Sequence, residues 1–146
     1  MIFNLTKNVP LSRAPFYAVR MWDRARGMIL RDFDGFDAMV FQRCGAIHTF
    51  FMRMPIDVIF LDRENTVVRI CEALPPWRPC IMAPHAVAVI EMASGAVRLT
   101  GTEPGDRLDL AADTEARQQN RMKRATLQTC GGAFERSNIS RRSENL

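Results

Sequence analysis

A chain of 146 residues with 47% apolar and 25% charged side chains has the size of one ordinary domain and is too apolar for a disordered polymer. Its formal charge of +4 lies mostly in residues 111–146, where seven basic side chains outnumber four acidic ones. The body is nearly neutral, so the basic balance gives little support for a nucleic-acid face on the domain. Four irregularly spaced cysteines without a CxxC pair read as thiols of a reduced, cytoplasmic protein. Residues 1–20 lack the basic start and apolar run of a secretory signal, and the apolar runs are too short to span a bilayer, so no membrane insertion is expected.

In chain order, residues 1–15 read as a loosely attached leader, with Pro10 and Pro15 opposing an early helix. Residues 16–21 read as a strand and residues 22–31 as one short helix, with Asp23 favourable near its start. Residues 32–37 carry Gly35 and three acids and read as a loop. Strands follow at 38–41, 47–54 and 56–62, the last two separated by Pro55, which cannot donate to a ladder. Arg63, Glu64 and Asn65 form a hairpin turn into a returning strand at 66–71. The proline-rich stretch 74–84 reads as a loop, 86–92 as a strand, and Ser94–Gly95 as a turn. Strands at 97–100 and 107–110, joined through Pro104–Gly105, close the pattern.

Many short strands with Gly and Pro turns predict a mainly β fold, a single compact sandwich or flattened barrel over 16–110. The polar, basic tail 111–146 is expected to be helical at 113–128 and disordered beyond. Its one aromatic, Phe134, does not alternate with its charges as a single-strand binder would want, and nucleic acid is disfavoured as its partner.

Residues 47–62, IHTFFMRMPIDVIFLD, set a histidine, an arginine and two aspartates into an apolar, β-prone run. Buried strands exclude such groups unless they are paired. On extended strands His48, Phe50, Met52 and Met54 share a face, and Asp57 shares one with Ile59 and Leu61, opposite Val58 and Phe60. Both faces are apolar, so cover on both sides is expected. An ionised Asp57 there needs hydrogen bonds or a cation, with Arg24, Arg26 and Arg31 as candidates.

Five ordered motifs give the chain a family resemblance: WDRARGMILRD (22–32), RCGAIHTFFMR (43–53) running into MPIDVIFLD (54–62), AVIEMASGAVRLTG (88–101) and PGDRLDL (104–110). They resemble the prokaryotic family called domain of unknown function 192. The matching residues are Arg24, Gly27, Met28, Ile47, His48, Thr49, Met52, Pro55, Ile56, Asp57, Phe60, Glu91, Gly95, Gly105 and Asp106. Met92–Ala93–Ser94 departs from the Leu–Pro–Ala often found there. The resemblance covers about residues 16–110 and implies one mainly β domain and no established activity.

The candidate pocket residues are His48, Asp57, Arg24, Thr49, Met52 and Glu91. The structural alternative has Asp57 capping a turn or anchoring an arginine, His48 bonded to backbone, and Glu91 at an edge, pairing with Arg98; for Asp57 and Glu91 that alternative is the favoured one. Cys44, His48, Cys80 and His85 can be combined as a zinc set, but spacings of four and five residues separate ligands widely on a strand. No phosphate loop, nucleophile elbow or carboxylate pair is present, so no metal and no cofactor are assigned. Two functions compete. One is a non-catalytic module that binds a small anionic ligand or a protein partner. The other is a small hydrolase or lyase with His48 as acid–base, oriented by Asp57 and assisted by an arginine.

Overall fold

Apolar side chains recur at every second position in several short stretches, and the computed structural model, which describes residues 1–29 and 33–110, turns them into strands. The elements are β1 (Ile2–Asn4), β2 (Val9–Ser12), β3 (Pro15–Tyr17), α1 (Met21–Arg26), β4 (Ala38–Gln42), β5 (Ala46–Ile47), β6 (Ile56–Leu61), β7 (Val67–Leu74), β8 (Ile81–Met82), β9 (Ala88–Ala93), α2 (Ala96–Thr100) and β10 (Leu108–Leu110). The fold is mainly β, as its class was read from the sequence, and has two short helices among the described residues where that reading had one.

Five strands form the main sheet in the order β3-β4-β9-β6-β7. The β3–β4 pair is parallel and the other neighbours are antiparallel. The order β10-β1-β2 makes a second sheet, and β5 pairs with β8. These sheets are open, so the architecture is not a closed barrel.

Alternation in β6 explains why every residue from Ile56 to Leu61 is buried. Ile59 and Leu61, with Val40, Ile90 and Met92, pack under Ile2, Leu11, Leu108 and Leu110 of the second sheet and Val97 of α2. Ile56, Val58 and Phe60, with Met39, Phe41 and Val89, pack on the opposite face under Ala18, Met28, Met52 and Ala83. Each large side chain so buried contributes about 1.5–3 kcal/mol over its exposed state. The double cover expected for β6 is therefore present.

Several local expectations give way to tertiary structure. Residues 1–13 are not a loose leader: β1 pairs with β10 and β2, and Ile2 and Leu11 belong to the core. The strand expected at 16–21 is β3 over Pro15–Tyr17, followed by α1, which ends at Gly27. Residues 47–54 do not form a strand. Beyond Ile47 the chain turns, and Phe51 takes a φ of 60°, which no strand accepts. Residues 97–100 lie in α2, not in a strand, because Gly95 at φ 92° turns the chain sharply before it. The proline-rich loop contains β8. Gly45 allows a close approach here: a Cβ on it would stand 2.7 Å from the Ala86 carbonyl oxygen. Residues 30–31 of the expected helix, and the helix and disorder expected beyond residue 111, lie outside the described residues.

Among the described residues no helix is long and apolar enough to cross a membrane.

Candidate functional site

Asp57 and Glu91 are the two acids that the main sheet buries, and β6 and β9 present them to opposite faces. In the β6–β9 register Asp57 stands opposite Met92 and Val58 opposite Glu91. Asp57 therefore shares the face of Met92, and Glu91 that of Val58.

Asp57 is 0% exposed, and its carboxylate is satisfied by main chain. Oδ1 accepts from the Ala73 N–H at 2.9 Å, and Oδ2 accepts from Gly95 N–H at 2.9 Å and Val97 N–H at 3.0 Å. It thus caps the turn into α2, whose first N–H groups have no partner within the helix. Among the described residues no arginine donates to it; Arg31 and the Arg26 side chain, two of its three expected partners, lie outside them. The turn-capping alternative is the observed arrangement, and the expected grouping of Asp57 with His48 does not form.

Glu91 is 2% exposed and sits in the middle of the sheet, paired across to Met39 and Val58. It is neither at an edge nor in an ion pair with Arg98, as the favoured sequence alternative held. Its Oε2 is buried without a hydrogen-bond partner. Burial pushes the carboxyl up from 4.5 to about 8. Near neutral pH the group is therefore a protonated acid, able to donate.

Glu91 lines a cavity of about 100 Å³ together with Arg24, Phe41, Cys44, His48 and Met52. A space of this size holds a few waters or a compact ligand. The Arg24 guanidinium, from α1, donates to the Gln42 carbonyl and, at 3.3 Å, to the Arg43 carbonyl. Those bonds hold the side chain at the rim and use two of the five N–H donors of a guanidinium. His48 is exposed, and its Nδ1 accepts from the Phe50 N–H at 3.3 Å. An accepting Nδ1 places the proton of the neutral ring on Nε2. Cys44 holds its thiol on the Ala46 carbonyl, with Sγ to O at 3.1 Å.

Thr49 lies outside the cavity and is fully buried. Its Oγ1 donates to the Pro75 carbonyl at 2.8 Å and accepts from the Arg78 N–H at 2.9 Å. Its backbone N–H reaches the Arg78 carbonyl, and its carbonyl accepts from Trp77 N–H. One threonine thus clamps the turn after β5 to the proline-rich loop. Of the residues singled out in the sequence, Arg24, His48, Met52 and Glu91 meet at one cavity, whereas Asp57 and Thr49 are structural ties. The place of Glu91 was signalled by the apolar run AVAVIEM, too continuous for an edge strand. The participation of Cys44 had no comparable signal.

The Cys44, His48, Cys80 and His85 combination is not assembled: among the described residues no three His, Cys, Asp or Glu side chains are grouped to hold a metal.

Comparison with known proteins gives consistent matches. The family model DUF192, described as an uncharacterised ACR, matches residues 14–110. A UPF0127 protein of Thermococcus sibiricus is 32% identical over 121 residues, covering 79% of this chain and 77% of that protein. A UPF0127 protein of Pyrococcus abyssi is 44% identical over 63 residues, covering 43% of this chain and 53% of the relative, so the match spans about half of that relative's length. A solved structure from Novosphingobium aromaticivorans, of unknown function, superposes with a TM-score of 0.57 at 22% identity, covering 65% of this chain and 73% of the other. A Sinorhizobium meliloti structure, described as a candidate transcription regulator, gives 0.58 at 26% identity over 65% and 79% of the two chains.

Proposed function

The chain belongs to the DUF192 family, described as uncharacterised, and from that premise we propose that it is a non-catalytic binding module whose cavity takes a small anion. The observation that carries this reading is the unpartnered, buried Oε2 of Glu91 at the wall of an open cavity. A buried polar atom left without a partner costs about 1–3 kcal/mol, and a ligand that supplies the partner recovers it. Among the described residues Glu91 is the only acid lining the cavity, and burial keeps it neutral. Arg24 therefore sets a positive field, and His48 Nε2–H and the protonated Glu91 carboxyl add donors. Three donors around a compact space suit an oxyanion better than a cation. The catalytic alternative needs Asp57 beside His48, and Asp57 is engaged on the other face of the sheet. A reduced, cytoplasmic setting fits thiols such as Cys44 and Cys71 and belongs to the same proposal.

Small size bounds the affinity. At a ceiling of about 1.5 kcal/mol per heavy atom, a phosphate-sized ion binds no tighter than roughly micromolar. The test is calorimetric titration of the protein with inorganic phosphate at pH 7, repeated on Arg24→Gln and Glu91→Ala. Binding in the parent that weakens in both variants is expected. Absence of binding in the parent, or equal binding in all three, defeats the anion site.

A further inference from the structure

Resting on that anion-site reading, we infer that the ligand carries a flat aromatic ring beside its anionic group, and that its chemical class is the nucleoside monophosphates. The observation behind this is a row of rings that starts at the cavity wall. His48 lines the cavity and its ring centre lies 5.5 Å from that of Phe50. Phe50 meets Trp77 edge to face at 6.2 Å, and Trp77 meets Phe51 at 4.8 Å. Phe51 is 54% exposed and Trp77 59% exposed, so both keep ring surface open to solvent.

Hydrophobic burial does not explain two large aromatics left at the surface. Nor is their position accidental to the backbone. The Thr49 ties hold the two loops together, and Phe51 and Trp77 both stand at left-handed φ, 60° and 67°. Residues 43–56 and 73–90, which supply the rings, contain no aspartate or glutamate, and Arg53 and Arg78 are exposed next to Phe51–Met52 and Trp77. Exposed arginines next in sequence to exposed aromatic rings suit a stacked base with a phosphate attached. One compact cavity at one end of a short row fits a single nucleotide and not a strand, which needs a groove that tracks successive phosphates.

The experiment titrates the full chain with inorganic phosphate, ribose phosphate, adenosine and adenosine monophosphate. Adenosine monophosphate is expected to bind about tenfold or more tighter than ribose phosphate, the gain that one stacked base supplies. Trp77→Ala should bring it down to the level of ribose phosphate and leave inorganic phosphate unchanged, while Trp77→Phe retains part of the gain. Equal binding of the two phosphate esters, or a Trp77→Ala variant with unchanged nucleotide affinity, overturns the ring assignment while the anion site stands. A short single-stranded oligonucleotide that binds more tightly than the monophosphate overturns the choice of a free nucleotide. If inorganic phosphate also fails to bind, the anion reading fails and this inference falls with it.

Discussion

Two carboxylates buried in adjacent strands of one sheet differ in what surrounds them, and the difference separates structure from candidate function. Asp57 ties down three backbone N–H groups on the face covered by the second sheet. Glu91, on the other face, keeps an oxygen without a partner and looks into a cavity. Burial is nearly equal in the two, so burial alone does not mark a site. The count of satisfied partners does. A charge that is fully solvated by main-chain donors is a fixed element of the fold, whereas a carboxyl that is neutral only because it lacks partners is open to a ligand.

The largest effect should come from removing the satisfied acid. Asp57→Ala leaves the Ala73, Gly95 and Val97 N–H groups without their acceptor and is expected to lower unfolding free energy by about 3–5 kcal/mol, read by urea denaturation. A loss under about 1 kcal/mol would mean that water replaces the carboxylate and would erase the contrast with Glu91.

Glu91→Gln should act in the opposite direction, increasingly as pH rises above about 4.5. The folded carboxyl titrates at about 8 and the unfolded one near 4.5, so the folded state holds an extra proton between those values. Its contribution to stability is complete below about pH 4.5, declines as pH rises through the window, and is lost above about pH 8. The glutamine variant lacks this decline. At pH 9 it should be the more stable protein, by on the order of a few kcal/mol, and thermal melts across pH 5–9 should show a flatter profile than the parent. Parallel profiles would place the Glu91 carboxyl in water.

Thr49→Val keeps shape and removes the hydroxyl, leaving the Pro75 carbonyl and Arg78 N–H unpaired by the side chain. A loss of about 1–3 kcal/mol is expected, with faster amide exchange in the 75–80 loop. His48→Gln is the smallest change. Its ring is exposed, so stability should stay within about 0.5 kcal/mol while phosphate affinity falls. A variant that loses several degrees of melting temperature and still binds phosphate would move His48 to the structural side of the comparison.

Legibility in the sequence followed the range of the forces involved. Strand β6 was readable because alternation and Pro55 are local, and the cover on both faces followed from the apolar character of both. The end of α1 was misplaced by several residues, though Gly27 stood in plain view as a stop. The errors at 47–54 and 97–100 have a different origin. In the first, a β-prone run is held in turns by Thr49 bonding to a loop about thirty residues away. In the second, the Val97 N–H is capped by Asp57, forty residues earlier, and β propensity gives way to a short helix. The candidate site was half legible for the same reason. His48, Arg24 and Met52 stood in family-like motifs, but which acid joins them depends on sheet register, and a shift of one position exchanges the two faces.

The pairing of β1 with β10 sets Ile2 opposite Leu110, so the two ends of the body close on each other. On the ribosome, at roughly 5–20 residues per second, about 5–20 s pass between the emergence of those two strands. Throughout that interval the β1–β2 hairpin has one edge of unpaired N–H and C=O groups, and the apolar residues Ile2 and Leu11 lack their cover. The nascent chain is then exposed to mispairing with its neighbours, and β10, made about a hundred residues later, is the strand that ends the exposure.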